Sequence, residues 1–150
     1  MNILAIGDVV GSIGCKFLRA HLPQLKKVKG VDLVIANGEN SADGNGITPT
    51  SARFLFDSGV DVITAGNHTF RRKESYELFD SCETLLRPAN FPFPCSWPWF
   101  LCCDMGAHPG RRPQSDGGSS TWKAWILLST LRTASLRKES QKITLVDMHA

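Results

Sequence analysis

Asp32-Leu33-Val34-Ile35-Ala36-Asn37-Gly38-Glu39-Asn40 is an apolar run that stops on a carboxylate and an amide, Glu39 and Asn40. Three other stretches repeat the pattern. Asn2-Ile3-Leu4-Ala5-Ile6-Gly7 leads to Asp8, and Asp61-Val62-Ile63-Thr64-Ala65-Gly66 leads to Asn67 and His68. Lys142-Ile143-Thr144-Leu145-Val146-Asp147 leads, across Met148, to His149. Short runs that are apolar on both faces suit strands buried in a parallel sheet. In open α/β sheets the carboxyl ends of such strands face one crevice, where ligands bind. The pattern therefore predicts carboxylate and amide oxygens converging with imidazole nitrogen on one small volume, which is the composition of a metal site.

Taken singly, each of these ends has a plainer explanation, because a polar residue after a buried strand ordinarily starts a loop or caps a helix. Recurrence at four ends favours the shared site. Gly7, Gly38 and Gly66 stand close before three of them and let the backbone turn sharply there.

At 150 residues and 42% hydrophobic content the chain suits one soluble globular domain with a real core. A net charge of +3, with basic residues scattered along the chain, gives no nucleic-acid signal. The opening apolar stretch meets Asp8 too early for a signal-peptide core, and no run approaches the ~20 apolar residues of a membrane span. Five cysteines, an odd number without a secretory signal, read as reduced thiols in the cytoplasm.

Residues 1–94 read as alternating strands and helices, the signature of βαβ units. Strands are expected near 2–7, 32–37 and 61–65. The first helix should start from a Ser12 cap, carry Phe17, Leu18, Leu22 and Leu25, be kinked or shortened by Pro23, and stop at Gly30. Ser41 to Gly46 reads as a glycine-rich loop at the mouth of a site. Thr48 or Thr50 should cap a second helix that ends at Gly59, and a charged helix should follow over 72–79. The character changes beyond residue 94. All four tryptophans lie there, and 91–121 shows neither helical nor strand period. A helix over 131–142 and a strand over 143–147 then restore the pattern.

The blocks Gly7-Asp8-Val9-Val10-Gly11, Asn37-Gly38-Glu39-Asn40 and Gly66-Asn67-His68-Thr69 resemble the calcineurin-like metallophosphoesterase superfamily. More closely, they resemble its YmdB-like branch, the bacterial 2′,3′-cyclic nucleotide phosphodiesterases. Arg87-Pro88-Ala89-Asn90-Phe91-Pro92 and Val146-Asp147-Met148-His149-Ala150 are similar to further blocks of that branch. The likeness spans 1–94 and returns over 131–150, so a single, C-terminally truncated domain is expected, an α/β sandwich with αββα layers. Residues 95–130 lie outside it, as an inserted stretch or one read out of frame.

By this resemblance Asp8, Glu39 and Asn40 hold one divalent metal ion, and Glu39, Asn67 and His149 a second, with Glu39 bridging. His68 is the proton donor. Val10 stands where the superfamily usually has histidine, a departure the branch shares. Oxygen and imidazole donors suit iron or manganese, with zinc possible. Two such ions can clamp a phosphate and stabilise in-line displacement, while an imidazole protonates the leaving oxygen. A small phosphodiester or cyclic nucleotide is the expected substrate. The family also supplies a later His-x-His segment, one histidine to each metal, and none follows His149 here. Two hypotheses result: a metal-dependent phosphodiesterase impaired by the missing donors, or an inactive remnant or small metal- or nucleotide-binding α/β domain. Metal content separates them. A structural zinc at Cys95, Cys102, Cys103 and His108 lacks the paired spacing such sites need, and Gly7, Gly11 and Gly14 do not make a dinucleotide loop.

Overall fold

The structure is a computed structural model that describes residues 1–88, 100–104, 123–128 and 143–147. The first strand, β1 (Ile3–Asp8), leads into helix α1 (Gly11–Lys29). Strand β2 (Leu33–Asn37), helix α2 (Pro49–Asp57) and strand β3 (Val62–Thr64) follow. Helix α3 (Ser75–Ser81) and the short strand β4 (Leu85–Leu86) complete the first sheet. Its order is β1-β2-β3-β4, the order of the chain, and every pairing is parallel.

A second sheet has the order β5-β6-β7, from Phe100–Asp104, Lys123–Leu128 and Ile143–Asp147. Strands β5 and β6 are antiparallel, while β6 and β7 are parallel. Two expectations are corrected here. The strand at 143–147 exists but belongs to this sheet rather than to the one carrying Asp8 and Glu39. The aperiodic stretch also contributes a strand, β5, and the apolar run beyond it a second, β6, so backbone pairing decides where local patterning is weak. The helix expected over 131–142 lies outside the described residues.

Alternation along the strands builds two cores. Successive side chains of a strand point to opposite faces. Val34 and Ala36 on β2, Ile63 on β3 and Leu85 on β4 join Leu18, Leu22, Ala52, Leu55 and Phe79 beneath the helices. Leu33, Ile35, Val62 and Leu86 face the other way and pack with Leu101 of β5 and Leu145 of β7. This explains why all of β2 is buried: a strand covered on both faces reads as a continuous apolar run. Helices, first sheet and second sheet therefore form three stacked layers of an α/β sandwich. Among the described residues no helix is long and apolar enough to cross a membrane.

The helix ends test the local reading. Thr48 caps α2 through its side chain, which accepts from Ser51 N, and Ser51 Oγ returns the contact to Thr48 N, a capping box. Gly30 closes α1 in the left-handed region at φ 58°. Ser12 does not cap α1. The cap position is Val10, without a side-chain bond, and the helix runs unbroken through Pro23. Burial of Cys15, Leu18 and Leu22 along one face holds that helix together across the proline.

Candidate active site at the strand ends

The carboxyl ends of β1, β2 and β3 bring four of the expected residues into contact. Asp8 ends β1, where the register with β2 shifts between Ile6 and Asp8 so that Asp8 pairs with Asn37. Gly38 then turns the chain. Its N–H donates to Thr64 O at 2.9 Å, and a Cβ there would meet Ile63 Cγ2 and Leu55 Cδ1 at 2.9 Å. Only glycine lets the strand end descend that close to β3. Glu39 follows, 1% exposed, with its N–H donating to Asn37 Oδ1 at 3.1 Å. A carboxylate so buried calls for hydrogen bonds or a cation. One of its oxygens, Oε2, accepts from His68 N at 3.0 Å.

Asn40 links the remaining two groups. Its Nδ2 donates to Asp8 Oδ2 at 2.6 Å, and its Oδ1 lies 2.5 Å from His68 Nδ1. An ionised carboxylate only accepts, so the amide must turn its NH₂ to Asp8 and its oxygen to His68. The amide oxygen in turn requires the proton on Nδ1 of His68, leaving Nε2 for other chemistry. The Asn40 backbone is fixed as well, because its carbonyl accepts from Gly11 N at 2.9 Å and Gly44 N at 3.0 Å.

The other expected residues stand differently. Asn67 is exposed and makes no side-chain hydrogen bond to another described residue. His149 lies outside the described residues, yet β7 ends two residues before it. There Asp147 Oδ2 accepts from Thr64 Oγ1 at 2.6 Å, which joins the end of the second sheet to the end of β3. Sequence reasoning did not single out that pair, nor Asn37, whose Nδ2 is buried without a hydrogen-bond partner among the described residues. An Asn immediately before the Gly38 turn is the signal that could have found it.

Oxygen donors from Asp8, Glu39 and Asn40 fit a hard divalent cation in type. Among the described residues there is no group of three or more His, Cys, Asp or Glu side chains set to hold a metal. The opposite end of the first sheet has a separate cleft of about 500 Å³ lined by Lys26, Asp61, Cys82 and Thr84. Lys26 Nζ is there engaged by Asp61 Oδ2 at 3.2 Å and Gly59 O at 2.9 Å.

Comparison with known proteins gives the same outline. The family model described as "YmdB-like protein" matches residues 4–97. The chain is 47% identical over 92 residues to a 2′,3′-cyclic-nucleotide 2′-phosphodiesterase of Bacillus subtilis, a match covering 61% of this chain and 35% of that protein. A crystal structure of a hypothetical protein from Thermus thermophilus superposes with a TM-score of 0.80 at 30% identity, covering 99% of this chain and 57% of that one. A crystal structure of a phosphatase from Mycoplasma pneumoniae gives 0.74 at 25% identity, covering 98% and 54%. The matched stretch spans about a third of the curated relative's length.

Proposed function

The chain belongs to the YmdB-like family, and from that membership we propose that it carries the proton donor and part of the ligand set of a metal-dependent phosphodiesterase. The observation that supports this reading is the run of contacts from Asp8 through Asn40 to His68, closed by Glu39 on the His68 backbone. Three strand ends, far apart in sequence, set the His68 imidazole beside acidic and amide oxygens. The name of the Bacillus subtilis relative supports a small phosphodiester of the 2′,3′-cyclic nucleotide class as substrate.

Asp8, Glu39 and Asn40 would hold one divalent cation, and Glu39, Asn67 and His149 a second, iron or manganese by donor type, with zinc the alternative. Such ions, when bound, supply the positive charge that offsets the phosphate oxygens. The chain's own residues do the rest. Asn40 keeps the His68 proton on Nδ1, so that Nε2, when it too carries a proton, can pass it to the leaving oxygen. Glu39 pins the turn that carries His68 through the backbone N–H. Asp8 orients the Asn40 amide. The free thiols Cys15 and Cys82 fit a reducing compartment, and we place the protein in the cytoplasm.

The test supplies the purified chain with Mn²⁺ and either 2′,3′-cyclic AMP or bis-p-nitrophenyl phosphate. Any turnover above background should fall in His68→Ala by about 10²–10⁴-fold, the usual worth of a positioned acid, and should also fall in Glu39→Ala. A rate indifferent to both changes would sink the reading. Robust turnover abolished by both changes would support the site. Bound metal measured on the same sample gives two ions per chain for a complete site and one for a binding domain.

A further inference from the structure

We propose that Arg72 is a positioning residue for the site: its guanidinium straps the 41–46 loop to the turn that carries His68, and so sets the approach of Asn40 to His68. This rests on the reading that Asn40 and His68 act together. Arg72 Nε donates to Asn45 O at 2.9 Å and its Nη2 to Ala42 O at 3.4 Å. The loop is tied internally by Ala42 N to Gly46 O and Asn45 N to Ala42 O, both at 3.0 Å, and Gly44 N reaches Asn40 O at 3.0 Å. At the other end Arg71 N donates to His68 O at 3.0 Å. Buried Ser75 anchors the Arg72 carbonyl through its N–H at 3.1 Å and its Oγ at 2.6 Å.

The contacts form a closed circuit. Asn40 and His68 touch directly through their side chains and are joined a second time through the loop, Arg72 and the turn. Gly46 shows that the loop is shaped around the arginine. It adopts φ +87°, and a Cβ there would stand 2.6 Å from Arg72 Cγ. A planar fork bonds two carbonyls at once, which the point charge of lysine does not reproduce. The strap therefore requires arginine.

The test uses the whole chain with Arg72→Ala, Arg72→Lys and Gly46→Ala. Gly46→Ala keeps the guanidinium but drives its stem away, so it serves if Arg72→Ala does not fold. Long-range ¹H–¹⁵N spectra of the imidazoles, recorded without metal, should show His68 protonated on Nδ1 in the unaltered chain. In Arg72→Ala and Gly46→Ala that signal should move towards a tautomer average while His21 stays unchanged. Free guanidinium should restore it in Arg72→Ala, and Arg72→Lys should restore it only in part. Mn²⁺ affinity should fall by about 10–100-fold, the usual effect of losing support behind a ligand. A folded variant with unchanged His68 signal and Mn²⁺ affinity overturns the strap. If the unaltered chain binds no Mn²⁺, the metal assignment fails, and the imidazole spectra alone decide for or against Arg72.

Discussion

Cys15 lies on the inner face of α1 with Sγ 3.9 Å from Ser41 O, and burial pushes its thiol above the ordinary range. The folded chain thus favours the neutral thiol. Its contribution to stability is fully present below the ordinary thiol range and is lost as pH rises through it towards the raised folded value. Since the thiolate is the nucleophile, timed iodoacetamide pulses at mildly alkaline pH should label Cys15 far more slowly than the half-buried Cys82. Peptide mass spectrometry reads the ratio, and equal rates would contradict the burial. At this scale the sequence marks Asp8, Glu39, Asn40 and His68 well, because each directly follows or ends an apolar run. Arg72 leaves no such mark. Its partners are backbone carbonyls, which every residue carries, so no pairing of residue types betrays the contact.

Helix α1 shows what an element does with an unfavourable residue. Pro23 removes a donor and crowds the preceding turn, yet the helix continues to Lys29 because Leu18 and Leu22 are anchored under the sheet. Pro23→Ala should therefore raise stability, by up to about 3 kcal/mol on the helix-propensity scale. Urea denaturation should show a higher midpoint with an unchanged slope. A lower midpoint would mean that the proline ring is itself a packing group. Strands β2 and β3 and helix α2 were legible since period, cap and glycine stop all agree there. The two residues of β4 are too few to display a period. Strands β5 and β6 sit among Trp, Pro and Cys, where neighbouring strands, and not local preference, decide the conformation.

At the scale of the molecule, an apolar seam and the Thr64–Asp147 hydrogen bond join the two sheets among the described residues. Thr64 is fully buried, so Thr64→Val keeps the shape and removes only the donor. A hydrogen bond to a charged group is worth about 1.5–3 kcal/mol, and a loss of that order is expected in the free energy of unfolding. Hydrogen exchange should quicken in β7 before it does in β2, and uniform quickening would argue that the sheets open as one unit. The two-sheet architecture was foreseen through family likeness, while the placement of β7 was not, because an apolar run announces a strand without naming its neighbours. The agreement between strand order and chain order has a consequence in time. A ribosome delivers β1, β2, β3 and β4 in the sequence in which they pair, and each arrival docks beside the last. The contacts among Asp8, Glu39, Asn40 and His68 can thus close on the nascent chain seconds before β7 is synthesised. Through that interval Leu33, Ile35, Val62 and Leu86 stand on the finished sheet without the cover that Leu145 of β7 later adds.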